Sequence, residues 1–186
     1  MLKYIEIVLI SGGFTMDVFI EYMVKRKKKA ADYIKILATL VLGLILIYIV
    51  TNVFFMIPFI TSFVLVAIAG VIYGMYYFIT SVNVEYEYIL TNNELDVDSI
   101  LNTKRRKRLT TVNIRQIETW GQIGEKRAES YSDNKSLKKI YACKDIDDSE
   151  TYFLVYYHDD DKNMLLFNPN EKILQRIERL NPQRGI

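Results

Sequence analysis

The chain has 186 residues, 51% of them hydrophobic, with 24 Lys and Arg against 22 Asp and Glu and a formal net charge of +2. One cysteine, Cys143, and one histidine, His158, exclude an internal disulfide, a cysteine-rich metal site and a histidine cluster. Charge is spread unevenly. Residues 1–35 carry seven cations against four anions, residues 36–84 carry none of either sign, and residues 85–186 carry seventeen against eighteen. Net charge therefore selects no partner, and no nucleic-acid partner is expected.

Met1–Ile10 has a short apolar run but no small-residue cleavage site after it, so a signal peptide is not expected. Codons for Ser11-Gly12-Gly13 can spell a purine-rich ribosome-binding site ahead of Met16. This marks Met16 as the expected initiator and residues 1–15 as translated leader. From Asp17 to Val24, the positions of Val18, Phe19, Tyr22 and Met23 suit one side of a short helix.

Lys25, Arg26, Lys27, Lys28 and Lys29 follow, five consecutive cations ahead of an apolar run. Such a block is a topology signal that keeps its side of a span in the cytoplasm, and its cations are candidates for contact with anionic lipid headgroups. The N-terminal segment, residues 1–35, is thus expected to be cytoplasmic.

Ile36 to Val84 is forty-nine residues without a charged side chain. A helical span needs ~20 apolar residues to cross ~30 Å of hydrocarbon, so this run accommodates two. Pro58 lacks an amide hydrogen and supplies the break. The expected spans are Ile36–Phe54 and Phe59–Ile79, within a two-helix membrane hairpin over residues 36–80. Tyr33 and the group Tyr73, Tyr76 and Tyr77 suit the membrane interfaces. Gly70 and Gly74 allow close helix approach, either to Ala38 and Gly43 of the first span or to a second copy of the chain. Neither span holds an ionisable residue, so a channel or pump is not expected.

After Val84 the period changes to two. Glu85–Leu90, Leu95–Leu101, Lys104–Thr111, Leu137–Cys143, Thr151–Tyr157 and Met164–Phe167 read as strands, with Thr91-Asn92-Asn93 and Asn102-Thr103 as turns. Gly121–Ser136 reads as a long polar loop. A C-terminal helix follows, with Asn168 as cap, Pro169 at its first helical position, and Ile173, Leu174, Ile177 and Leu180 as its apolar stripe. Six or seven antiparallel strands closed by one amphipathic helix outline a pleckstrin-homology-like (PH-like) barrel over residues 84–186.

The residues carry a resemblance to a family as well. Tyr88-Ile89-Leu90-Thr91-Asn92-Asn93-Glu94-Leu95 resembles the first hairpin of bacterial PH-like domains, and Lys104–Arg108 running into Ile114-Arg115-Gln116-Ile117 resembles a later basic strand and Ile-x-x-Ile segment. Two spans before such a domain are similar to uncharacterised bacterial two-span membrane proteins. The resemblance implies a multi-pass protein of a bacterial plasma membrane with a PH-like domain. It supplies no catalytic residue.

The residues announce little chemistry. His158 beside Asp159-Asp160-Asp161 reads as a polar hairpin tip, with cation binding as the sharper alternative. Glu85 and Glu87 share a strand face and are expected to be solvated opposite Tyr86 and Tyr88. Gly121-x-x-Gly124 lacks the lysine of a phosphate loop. No catalytic residue, metal site or cofactor is expected. Trp120 is the partner-binding candidate, with a place in the core as its alternative. Lys104, Arg106 and Arg108 share one face of their strand and are the second set of lipid-contact candidates.

A scaffold or adaptor binding a protein at the inner membrane face is the first functional expectation. A regulatory domain touching anionic lipid is the alternative, and an enzyme the least favoured. With two spans, both termini are expected to be cytoplasmic.

Overall fold

The computed structural model describes residues 18–182 apart from 58, 60, 103, 125–127, 129, 132–136 and 159–160. The expected leader, the Pro58 turn and Asp159-Asp160 lie outside these. The chain divides into two compact units. One combines the residues before 28 with those from 84 onward, and the other spans 28–83.

The membrane unit holds α1 (Ala30–Met56) and α2 (Val64–Thr80), the latter preceded by one 3-10 turn, Thr61–Phe63. Both, the second together with its 3-10 turn, are long and apolar enough to cross a bilayer, and few of their residues are buried by protein. Apolar residues exposed on all sides suit lipid as solvent. The first helix begins six residues ahead of the apolar run. Asp32, 5% exposed, accepts a hydrogen bond from the Lys29 amide at 2.9 Å at the N-terminus of this helix. A Cβ on Gly43 would meet the Met75 side chain at 2.2–2.6 Å, whereas at Gly70 and Gly74 it would meet nothing within 4 Å. The hairpin therefore closes on Gly43, and the small residues of α2 are left open.

Among the described residues, the second unit has eight strands in two sheets. Sheet A is ordered β1 (Phe19–Lys25), β2 (Val84–Thr91), β3 (Glu94–Leu101) and β4 (Arg105–Asn113), all antiparallel. Sheet B is ordered β5 (Ile117–Gln122), β7 (Tyr152–His158), β8 (Asp161–Phe167) and β6 (Lys138–Ala142). Asn92 and Asn102 take left-handed backbone at φ 54° and 52°, conformations that asparagine tolerates and that turn the β2–β3 and β3–β4 hairpins.

Two expectations about the strands change here. Residues 19–25 form a strand rather than a helix. The apolar side chains fit either period, but seven residues make a marginal helix, while β2 offers a full ladder from Phe19↔Thr91 to Lys25↔Glu85. Val24 is then 1% exposed in the core. The first strand of the β unit thus precedes the hairpin, which is an insertion between β1 and β2. In addition, β6 runs parallel to β8, so the strands are not all antiparallel.

The core lies between the sheets, built from Tyr88, Leu90, Leu95, Val97, Ile117, Leu154, Leu165 and Phe167, and α3 (Glu171–Leu180) closes it with Ile173 and Ile177. The cap of this helix is Asn170, which accepts from the Ile173 amide at 2.9 Å. Asn168 is occupied elsewhere. Its carbonyl accepts from the Lys144 amide at 2.6 Å, and its NH2 donates to Thr151 at 3.1 Å. The PH-like sandwich with a C-terminal helix is present as expected.

Candidate membrane-facing site

The site grows out of strand register. Val84, Leu101 and Arg105 form the last row of sheet A, and Lys25, Glu85, Ile100 and Arg106 the row before it. The same end of the sheet is where the chain leaves β1 for α1 and returns from α2 to β2. Pairing therefore gathers Lys25, Arg26 and Lys27 with Lys104, Arg105 and Arg106, about eighty positions apart in sequence, at the end joined to the membrane hairpin. Lys28 and Lys29 lead into α1.

The segment after β6 joins this rim. The Lys27 amide donates to the Lys144 carbonyl at 2.8 Å, and its ammonium pairs with Asp148 at 3.0 Å. That pairing raises the Lys27 pKa and lowers that of Asp148. Between these anchors sits Ile146, 36% exposed; Leu101, in the last row of sheet A, is 39% exposed. Isolated apolar side chains among cations suit a bilayer interface.

Alternation divides the basic strand into two sets. Arg106 and Arg108 turn to the outer face, and Arg105 and Lys107 to the other, as the period of two requires. On the outer face Arg106 reaches Glu87 at 2.5 Å and Asp98 at 3.8 Å, while Arg108 binds Asp98 through Nε and Asp96 through Nη1 at 2.6 Å. Burial opposes the Arg108 charge, but the bonds and charges of Asp98 and Asp96 outweigh it and raise its pKa. Among the described residues, Lys104, Arg105 and Lys107 make no ion pair and stand exposed.

The expectation that Glu87 is solvated is corrected. Glu87 and Asp98 face each other across β2 and β3 and are 1% and 2% exposed. Burial, a hydrogen bond with Glu21, and the charges of Glu21 and Asp98 push the Glu87 carboxyl up to about 7 against the opposing pull of Arg106. Glu85 pairs with Lys25 at 3.2 Å.

Trp120 is 7% exposed, with its indole N–H donating to the Asn181 carbonyl at 3.2 Å. Asn181 in turn donates to the Ile114 and Ile117 carbonyls, so this pair locks the end of α3 to β5. His158 stands exposed at the β7–β8 hairpin opposite Asp161. No group of three or more His, Cys, Asp or Glu among the described residues is placed to hold a metal ion.

Sequence reasoning missed two features. One is β1, whose only signal was the Ile20, Tyr22, Val24 alternation. The other is a concavity of about 250 Å³ on the outer face of sheet B, lined by Ile123, Tyr141, Ile146, Met164 and Leu166 beside Lys139 and Asp147.

No curated protein and no solved structure matches the chain. A family model described as bacterial PH-like domain (DUF6106) matches residues 16–185, which includes β1, both membrane helices and the whole sandwich. The chain thus belongs to this bacterial PH-like domain family.

Proposed function

We propose that this is a membrane-anchored, non-catalytic PH-like module whose basic rim rests on the anionic inner leaflet of a bacterial plasma membrane, with both termini cytoplasmic. The supporting observation is the register that brings Lys25–Lys27 and Lys104–Arg106 to the end of the sheet continuous with the hairpin. Cations near an anionic surface contribute ~1 kcal/mol each, and that attraction fades within ~8 Å in physiological salt. Such contacts are too weak to recruit a free protein. They are sufficient to orient one already tethered by two spans. Lys104, just ahead of β4, and Arg105 and Lys107 within it are the most available cations, since carboxylates already engage Arg106 and Arg108.

The test uses the full chain in vesicles, carrying a donor at Gln175→Cys and acceptor-labelled lipid headgroups. Energy transfer is expected to be higher with phosphatidylserine than with phosphatidylcholine, to fall in high salt, and to drop when Lys104, Arg105 and Lys107 become Glu. Equal transfer in both lipids overturns the reading. The same Cys in intact cells is expected to be closed to an impermeant reagent.

An adaptor role is the second reading, and the concavity beside β6 favours it because, among the described residues, β6 is an edge strand with one partner. Trp120, as placed, offers little surface to a partner. Photocrosslinking from Tyr141 in native membranes tests this role. A second copy packing on Gly70 and Gly74 is the proposed oligomer; crosslinking that survives Leu at both positions counts against it.

A further inference from the structure

The outer face of sheet A holds more acid than base. Glu21 and Lys25 come from β1, Glu85 and Glu87 from β2, Asp96 and Asp98 from β3, and Arg106 and Arg108 from β4. Five carboxylates thus meet three cations, a formal charge of −2. Glu87 and Asp98 stand directly opposite each other and are both removed from water. Like charges in that position repel, and burial strengthens the repulsion.

Their support is unequal. Asp98 is engaged by both guanidinium groups, Nε of Arg108 and Nε of Arg106, whereas Glu87 has Arg106 as its cationic partner and the Glu21 carboxyl as a hydrogen-bonding neighbour. Relief comes at least cost when one proton is taken up at Glu87, beside the Glu21 carboxyl. Arg106 is the group whose bonding then changes. Its side chain is 54% exposed and lies one row from the end of the sheet that carries the basic rim.

We propose that Glu87 is a proton-operated latch on Arg106: ionised, it holds the guanidinium down on the sheet; protonated, it leaves only the longer 3.8 Å contact with Asp98, and the side chain turns to the leaflet. This rests on the leaflet reading above. Proton uptake also takes the face from −2 to −1, so both effects of acidification strengthen contact with an anionic surface. The Glu87 carboxyl, pushed up to about 7 by burial and by Glu21, places the change around neutral pH. No covalent step is involved, only the movement of one proton from solvent.

The experiment follows transfer from the Gln175→Cys donor, with Cys143→Ala, to labelled headgroups between pH 8.5 and 5.5 in full-chain vesicles. With phosphatidylserine the expected signal rises on acidification with a midpoint near 7, and with phosphatidylcholine it stays flat. Glu87→Gln is expected to remain at the acid level throughout, Arg106→Gln to keep only a small residual rise from the change in face charge, and Glu21→Gln to move the midpoint down. Thermal unfolding at pH 6 checks that each variant folds, and the Glu21 and Arg106 variants still decide if Glu87→Gln does not. A pH-independent signal in the wild-type chain, or a Glu87→Gln chain that titrates like it, overturns the latch while a difference between the lipids leaves the leaflet reading standing. Equal transfer in both lipids at every pH sinks the leaflet reading itself and the latch with it.

Discussion

The two sheets share a core but treat their outer faces in opposite ways. Sheet A covers its outer face with ion pairs, from Lys25–Glu85 to Arg108–Asp96. Sheet B places Phe153, Val155 and Met164 there and roofs them with Ile123, Ala128 and Tyr131 from the β5–β6 connection. The roof is pinned where Tyr131 donates to Glu118 at 3.2 Å and Lys162 pairs with the same carboxylate at 2.6 Å, the ammonium lying 5.1 Å from the Tyr131 ring. A charged face can stay open to a membrane surface or to water, but it remains sensitive to pH and salt. An apolar face is indifferent to both, and needs a cover.

Removing a strand is the largest way to break this comparison. Residues 84–186 alone lack β1, which leaves the β2 edge unpaired and Tyr22 and Val24 missing from the core. Such a fragment is expected not to give a cooperative unfolding transition. Residues 18–27 joined to 84–186 by a short Gly-Ser linker are expected to fold without the hairpin, because the Arg26 amide already donates to the Val84 carbonyl at 3.0 Å. Circular dichroism melts of both fragments settle the point, and a folded 84–186 would make β1 dispensable.

The apolar side comes next. Phe153→Ala should cost ~3–5 kcal/mol because the ring is fully buried beneath the roof. Ile177→Ala on α3 should cost ~2–4 kcal/mol, and Leu174→Ala less, since Leu174 is half-buried. Neither loss should vary with pH between 5 and 8, which urea melts at several pH values can check.

The charged side should behave differently. With its folded-state pKa raised to about 7 from an ordinary 4.5, Glu87 binds a proton in the folded chain that the unfolded chain has already released. Stability from this group is complete below the unfolded value and falls as pH rises toward 7. The expected loss between pH 5 and 8 is ~1–3 kcal/mol, absent in Glu87→Gln. A wild-type chain as stable at pH 8 as at pH 5 would return Glu87 to an ordinary surface acid. Lys25→Ala should change stability least, by ~0–1 kcal/mol, because its ammonium is solvated.

Much of the fold was legible from side-chain periodicity. The charge-free run marked the hairpin, because hydrocarbon excludes ionised groups and the helix rise sets the length required. Alternation over Glu85–Leu90, Thr151–Tyr157 and the stripe from Ile173 to Leu180 marked strands and a helix at their observed places, since each buries one face. The lipid-contact candidates were visible only as two unrelated clusters of cations. Nothing local says that Lys25 and Arg106 share a row.

The amino-acid sequence by itself determined the solvent of each segment and the period of most elements, because these depend on the residue and its near neighbours. Tertiary structure alone decided which elements pair across the inserted hairpin. It thereby made Phe19–Lys25 a strand, brought the two basic clusters to one end of sheet A, and buried Glu87 beneath Arg106. Hydrogen-bond register between distant strands sets these outcomes, and register is a property of pairs of segments, written in neither segment alone.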